Sequence, residues 1–258
     1  MARRTWTRDE LLVAGFLYCR IPFGRFHSSN PEIVRVAQAM DRTPGALAMK
    51  LSNLASVDPT FRSSGRSGLP GASANDRALW QEMNADWPTF ALKVEAAVGH
   101  LGIEELGGQH AEQPETTGEA ADYTGAERVT TRRERVGQGL FRDSVLSAYD
   151  FRCCITGLAL PGLLNASHIV PWREDPGNRL NPANGLCLSA LHDRAFDKGL
   201  ITILEDLTVA VATNVSRHAG PFFDSTIGIY EGQPIAAPEK FSPAPGFLAH
   251  HRAEVFVG

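Results

Sequence analysis

The chain has 258 residues, 43% of them hydrophobic and 21% charged, with a formal net charge of -4. That length suits one large domain or two modest ones, each able to bury a core, and no apolar run reaches the ~18 residues needed to cross a bilayer. No secretory-type apolar stretch follows Met1, and four cysteines are too few and too unevenly placed for a disulfide framework. The expectation is therefore a cytoplasmic protein with buried thiols and no membrane partner.

The first predicted elements are helical. Thr7-Arg8-Asp9-Glu10 has the pattern of a capping box, and Leu11, Leu12, Gly15, Phe16 and Tyr18 follow at roughly helical spacing. Asn30 before Pro31 and Glu32 marks a second start, with Ile33, Val34, Val36, Ala37 and Met40 as its apolar face. Thr43 before Pro44 marks a third, carrying Leu47, Ala48, Met49, Leu51 and Leu54. Three short helices with a tight turn before the last form a helix-turn-helix-like arrangement, in which Arg42, Lys50 and Asn53 are expected to face DNA. The alternative is a small tri-helical bundle whose basic residues solvate one face. Residues 63–75 form a Gly/Ser loop, and residues 76–98, with Trp80, Trp87, Phe90, Leu92 and Val94, read as one or two packing helices with the tryptophans in the core.

The charge is unevenly distributed. Residues 1–100 hold 12 Lys and Arg against 9 Asp and Glu, residues 101–127 hold none against 7, and residues 128–258 hold 13 of each. The acidic stretch has almost no apolar side chains with which to offset its ordering entropy, so residues 101–127 read as a flexible linker. Without it the protein is mildly basic. The expected organisation is a helical DNA-engaging or specificity domain (1–100), this linker, and a second domain (128–258), an α+β architecture overall.

The second domain opens on residues 132–149, an amphipathic helix whose basic leading end suits a phosphate backbone or simply solvates a face. Then come Cys153-Cys154-Ile155-Thr156-Gly157, an apolar strand ending at His168, a polar loop, the Asn184-Gly185 turn, a second apolar strand and a helix-like run from His192. Residues 200–212 read as a further hairpin and residues 229–245 as a Pro-rich wrapping loop. A histidine at the end of an apolar strand, neutral near pH 7, can take a proton from water. An asparagine cannot usefully titrate but can tie the loop to the histidine strand, and a second histidine can ligate a metal through a ring nitrogen.

Three segments in this order, Ala166-Ser167-His168-Ile169-Val170-Pro171-Trp172, Asn181-Pro182-Ala183-Asn184-Gly185-Leu186-Cys187-Leu188-Ser189 and His192-Asp193-Arg194-Ala195-Phe196-Asp197-Lys198-Gly199, resemble the ββα-metal finger of HNH nucleases, and in particular a subgroup frequent in bacterial restriction-type proteins. Through Arg42-Thr43-Pro44, Lys50-Leu51-Ser52-Asn53 and Asp58-Pro59, the N-terminal segment is also similar to regions that precede HNH domains in a group of bacterial restriction-type nucleases. The resemblance implies that His168 is the general base, Asn184 a structural residue and His192 a metal ligand. Two departures qualify it. Ser167 stands where many HNH proteins carry an Asp or His ligand, so Ser167 joins His192 as a weak candidate ligand, with Asp193 or Asp197 as the carboxylate that could complete the site. Cys153, Cys154 and Cys187 do not form paired C-x-x-C sites, so no structural zinc is expected.

The reading is a metal-dependent HNH endonuclease acting on double-stranded DNA, in restriction of foreign DNA. Mg²⁺ is the expected cation and Mn²⁺ the alternative; Arg179 in the polar loop is a candidate phosphate clamp, the alternative being a surface pair with Glu174 or Asp175, and two copies can meet on DNA. A DNA- or partner-binding protein with an inactive HNH fold, or an RNA nuclease, are the alternatives.

Overall fold

The structure, a computed structural model, describes residues 4–63, 71–103, 125–213 and 220–258, with side chains described from residue 136 onward in the helix that begins at Gly125. It is mixed α+β, and it divides into two units, Met1–Asp143 and Ser144–Gly258. The Gly/Ser stretch expected at 63–75 and the acidic linker expected at 101–127 fall largely outside the described residues.

The first unit is helical. Helix α1 (Arg8–Arg20) starts where the capping box puts it: the Thr7 hydroxyl accepts from the Glu10 amide, and the Glu10 carboxylate accepts from the Thr7 amide at 2.7 Å. Helices α2 (Pro31–Ala39) and α3 (Pro44–Ala55) are capped by Asn30 and Thr43, each followed by a proline whose missing N–H costs nothing at that position. A short α4 (Pro59–Ser63) follows, then α5 (Ala74–Ala85) and α6 (Trp87–His100), two helices where one or two were expected. α1 packs against α3, α5 and α6. Trp87 is buried and Trp80 meets Tyr18 edge-on at 5.9 Å, so both belong to the helical packing. α6 ends in a Schellman motif. Gly102 sits at φ 66°, its amide bonds to Gly99 and that of Ile103 bonds back to Val98, which takes the first residues of the expected linker into the helix end.

The expected DNA-facing set does not face solvent. Arg42 spans both carboxylate oxygens of the buried Glu10 at 3.0 and 2.8 Å, donates to the Arg4 and Thr5 carbonyls, and lies over the Trp6 ring at 4.4 Å. Burial raises the Glu10 pKa, but hydrogen bonds from Arg42, Thr7 and Arg4 outweigh it and hold the carboxyl down to about 2. Lys50 is buried and pairs with the buried Asp76 at 2.6 Å, while Asn53 is buried on the same helix. The correction has a local cause. Leu47, Lys50, Leu51 and Leu54 stand at i, i+3, i+4 and i+7, so Lys50 lies within the apolar stripe of α3, where an ammonium needs a carboxylate partner.

The second unit begins inside α7 (Gly125–Ala148), whose end leads into a turn at Tyr149–Arg152 and then the two adjacent cysteines. Strands β1 (Leu164–His168) and β2 (Gly185–Ser189) pair antiparallel, Leu164 opposite Ser189 and His168 opposite Gly185. β2 is buried along its whole length and runs directly into α8 (Ala190–Asp197). Strands β3 (Ile201–Ile203) and β4 (Val209–Val211) form the second hairpin where the sequence places one. The Pro-rich segment wraps the unit: Ile235, Ala236 and Glu239 donate to Leu207, Cys154 and Ala148. Helices α9 (Gly220–Thr226) and α10 (Pro245–His250) and a single wide turn at His251–Val255 close it. Gly199, at φ 67°, admits this closing segment, since a Cβ there would meet the Val255 carbonyl oxygen at 2.0 Å.

His251 anchors the closing turn. Its ring stacks on Phe196 with centroids 3.6 Å apart, Nε2–H donates to the Phe196 carbonyl, and Nδ1 accepts from the Thr202 hydroxyl. Burial pushes its pKa down to about 4.

Two stability outcomes are expected. Lys50→Ala strands the Asp76 carboxylate in the core and should cost about 3–5 kcal/mol, measured by urea unfolding. For His251 the folded pKa lies below the unfolded one, so the unfolded chain takes up a proton that the native chain refuses. Its contribution is complete above pH ~6.5 and is lost as pH falls toward 4, a total of about 3 kcal/mol. His251→Gln, which has nothing to protonate, should show a correspondingly shallower fall.

Candidate active site

The loop between β1 and β2 is long, and a buried side chain closes its base. Asn184, fully buried, accepts from the Val170 amide at 2.8 Å and donates to the Val170 carbonyl at 3.3 Å and the Asn178 carbonyl at 3.5 Å. Its own carbonyl accepts from the Ile169 amide at 3.0 Å, extending the hairpin ladder one residue past the strand. A carboxamide suits this position because it offers one acceptor and two donors in a plane, matching a backbone that presents both.

His168 stands at the end of β1 beside this clamp. Its Nε2 lies 2.8 Å from the Arg179 carbonyl, and its ring meets Trp172 edge to face with centroids 5.3 Å apart. The Arg179 guanidinium lies over the same indole at 4.8 Å. The structure thus brings His168, Asn184 and Arg179 of the expected set into one loop cluster. Asp175 in that loop accepts from the Asn178 amide and side chain, and Glu174 pairs with His250 at 2.9 Å.

His192 stands on the helix side of the hairpin. Ser189, the N-cap of α8, places its hydroxyl 2.8 Å from His192 Nδ1, and the ring packs edge-on against Tyr230 at 5.5 Å. Burial lowers the His192 pKa, opposed by the neighbouring Thr226 carbonyl, so the neutral ring is favoured. Nε2 is buried and makes no hydrogen bond of good geometry, although the Thr226 carbonyl lies near enough to the ring to favour its protonated form. Ser167 is also buried, and its hydroxyl likewise lacks a partner. Asn165 and Ser167 share one face of β1 by strand alternation, and Asn165 donates to Asp193 of α8 at 2.6 Å, so Ser167 lies on the helix side too. Asp193 is thereby occupied in bracing the hairpin to the helix. Asp197 is exposed, five residues beyond His192 and about 140° around the helix.

These positions test the metal expectation. Two buried polar atoms without partners, a ring nitrogen and a hydroxyl oxygen, have ligand chemistry, and the Ser189 contact orients the imidazole as an outer-shell partner does. Among the described residues no group of three His, Cys, Asp or Glu side chains could hold a metal ion. His192 Nε2 and Ser167 Oγ are therefore each uncharged candidate donors, and water would have to complete the coordination of a cation held by either. The cysteines take no part: Cys153, Cys154 and Cys187 are buried thiols, and burial, then the neighbouring thiols, pushes Cys154 well up, away from thiolate chemistry.

Sequence reasoning missed Trp172 as a partner of both His168 and Arg179, although it lay in the quoted motif, and missed Ser189, whose place three residues before His192 is a readable N-cap signal. Tyr230, distant in sequence, left no signal.

A hairpin is followed at once by a helix, with a histidine at the end of the first strand, an asparagine just before the second and a histidine on the helix, a ββα arrangement. Residues 153–204, about a fifth of the chain, match the HNH endonuclease family model. Domains of that kind act on nucleic acid and generally use a divalent metal. Among curated proteins, none matches the chain.

The clamp has a stability signature. Asn184→Ala leaves the buried Val170 amide and carbonyl without their partner, and urea unfolding should show a loss of about 2–4 kcal/mol.

Proposed function

We propose that this protein is a metal-dependent endonuclease that hydrolyses double-stranded DNA in the restriction of foreign DNA. The observation that carries the reading is the bond between His168 Nε2 and the Arg179 carbonyl. A carbonyl only accepts, so Nε2 holds the proton and Nδ1 carries the basic lone pair of the neutral ring. Nδ1 takes a proton from water, whose oxygen attacks phosphorus in line with the leaving oxygen. The Arg179 guanidinium holds a phosphate oxygen. A divalent cation on His192 and Ser167, Mg²⁺ or Mn²⁺, would supply charge stabilisation at the phosphoryl and leaving oxygens. In this reading residues 128–258 form the nuclease domain, residues 101–127 a linker and residues 1–100 a domain that engages DNA or sets specificity. One such finger breaks one strand per engagement, so double-strand cleavage takes either two copies or two successive events, and this reading has two copies meeting on DNA.

The second reading is an inactive HNH fold used for DNA or partner contact. It is favoured by the hydroxyl of Ser167 where an acidic ligand would serve better, and by the lack of a three-membered ligand group among the described residues.

Incubation of the full chain with supercoiled plasmid or RNA, with Mg²⁺ or Mn²⁺ and then EDTA, separates these. Metal-dependent plasmid nicking is expected. His168→Ala should lower it about 10²–10⁴-fold while the chain stays folded, and His192→Ala should shift the metal titration to higher concentration. Wild-type protein that cleaves neither nucleic acid contradicts the enzyme reading, and cleavage of RNA alone moves the substrate. Linear product should rise faster than in proportion to protein concentration.

A further inference from the structure

We propose that Trp172 is a positioning residue for the nuclease reaction: its indole holds the Arg179 segment in place so that the Arg179 carbonyl fixes the tautomer of His168. The inference rests on His168 as general base.

Asn184 fixes the two ends of the loop, at Val170 and Asn178, but none of its bonds reaches the Arg179 carbonyl. That carbonyl lies 2.8 Å from His168 Nε2 and accepts from it. Trp172 touches both sides of the dependence. The Arg179 side chain lies over its ring at 4.8 Å, and the His168 ring meets it edge to face at 5.3 Å. One half-buried indole therefore sets where the Arg179 residue sits and which way the imidazole turns. An aromatic ring does this with two torsions and no titratable group, so it restrains the base without competing for its proton. The imidazolium formed during the reaction also gains from an adjacent π system.

Two measurements on the full chain test the assignment. With ¹⁵N-labelled histidine, His168, identified by the loss of its signals in His168→Ala, is expected as a single Nε2–H tautomer above neutral pH. In Trp172→Ala it should average between tautomers, and in Trp172→Phe it should keep the Nε2–H form. On plasmid, Trp172→Ala is expected to lower kcat about 10–100-fold, the scale of a misplaced catalytic group, with little change in KM, and Trp172→Phe to restore most of it. A Trp172→Ala protein whose His168 stays in the Nε2–H form overturns the proposal, whether or not the chain cleaves DNA. So does a change confined to KM, or a Phe variant as impaired as Ala. The nuclease reading fails separately: it falls if His168→Ala cleaves normally, whereas an inactive His168→Ala beside a fully active Trp172→Ala removes the positioning role alone.

Discussion

The Asn184 carboxamide is the contact on which the candidate site depends. Closing the β1–β2 loop costs chain entropy, and its base lies where water cannot satisfy the backbone. Asn184 meets both requirements at once, giving the Val170 amide an acceptor and the Val170 carbonyl a donor while its own carbonyl takes the Ile169 amide. The strand pair thereby continues past His168, which leaves the imidazole on a fixed backbone at the mouth of a closed loop instead of on a fraying strand end. Trp172 and Arg179 then act within a segment whose two ends no longer move.

On the helix side of the hairpin a single hydroxyl has a comparable double use. Ser189 ends β2, caps α8 and meets His192 Nδ1, so the start of the helix and the orientation of its histidine are set together. The Asn165–Asp193 bond holds the same helix to β1. Ser167 Oγ and His192 Nε2 are both polar, uncharged and buried without a hydrogen-bond partner. In the proposed reading a cation held by them would need solvent and substrate for the rest of its coordination.

Much of the fold was legible because its signals are local. The capping residues Thr7, Asn30 and Thr43 each bond to an amide two or three residues on, and such contacts need no knowledge of the rest of the chain. The misreading of Arg42 and Lys50 came from partners far away in sequence. Glu10 is 32 residues from Arg42, and Asp76 is 26 from Lys50. A basic residue on a short helix looks solvated until its acid arrives from another element, and only the place of Lys50 within the leucine stripe hinted otherwise. The candidate site divides the same way. His168, Asn184 and His192 were visible through the order and spacing of their motifs, whereas the joint grip of Trp172 on Arg179 and His168 is a property of the folded loop, and Tyr230 reaches His192 from 38 residues away.

The central claim is that Asn184 holds the loop shut beside His168, and native-state hydrogen exchange tests it most directly. If the clamp is as described, the Ile169 and Val170 amides, which lie beyond the end of β1, exchange as slowly as the amides of β2 and open only with the unit as a whole. Exchange of these two amides at the rate of an exposed loop, with β2 still protected, would contradict it.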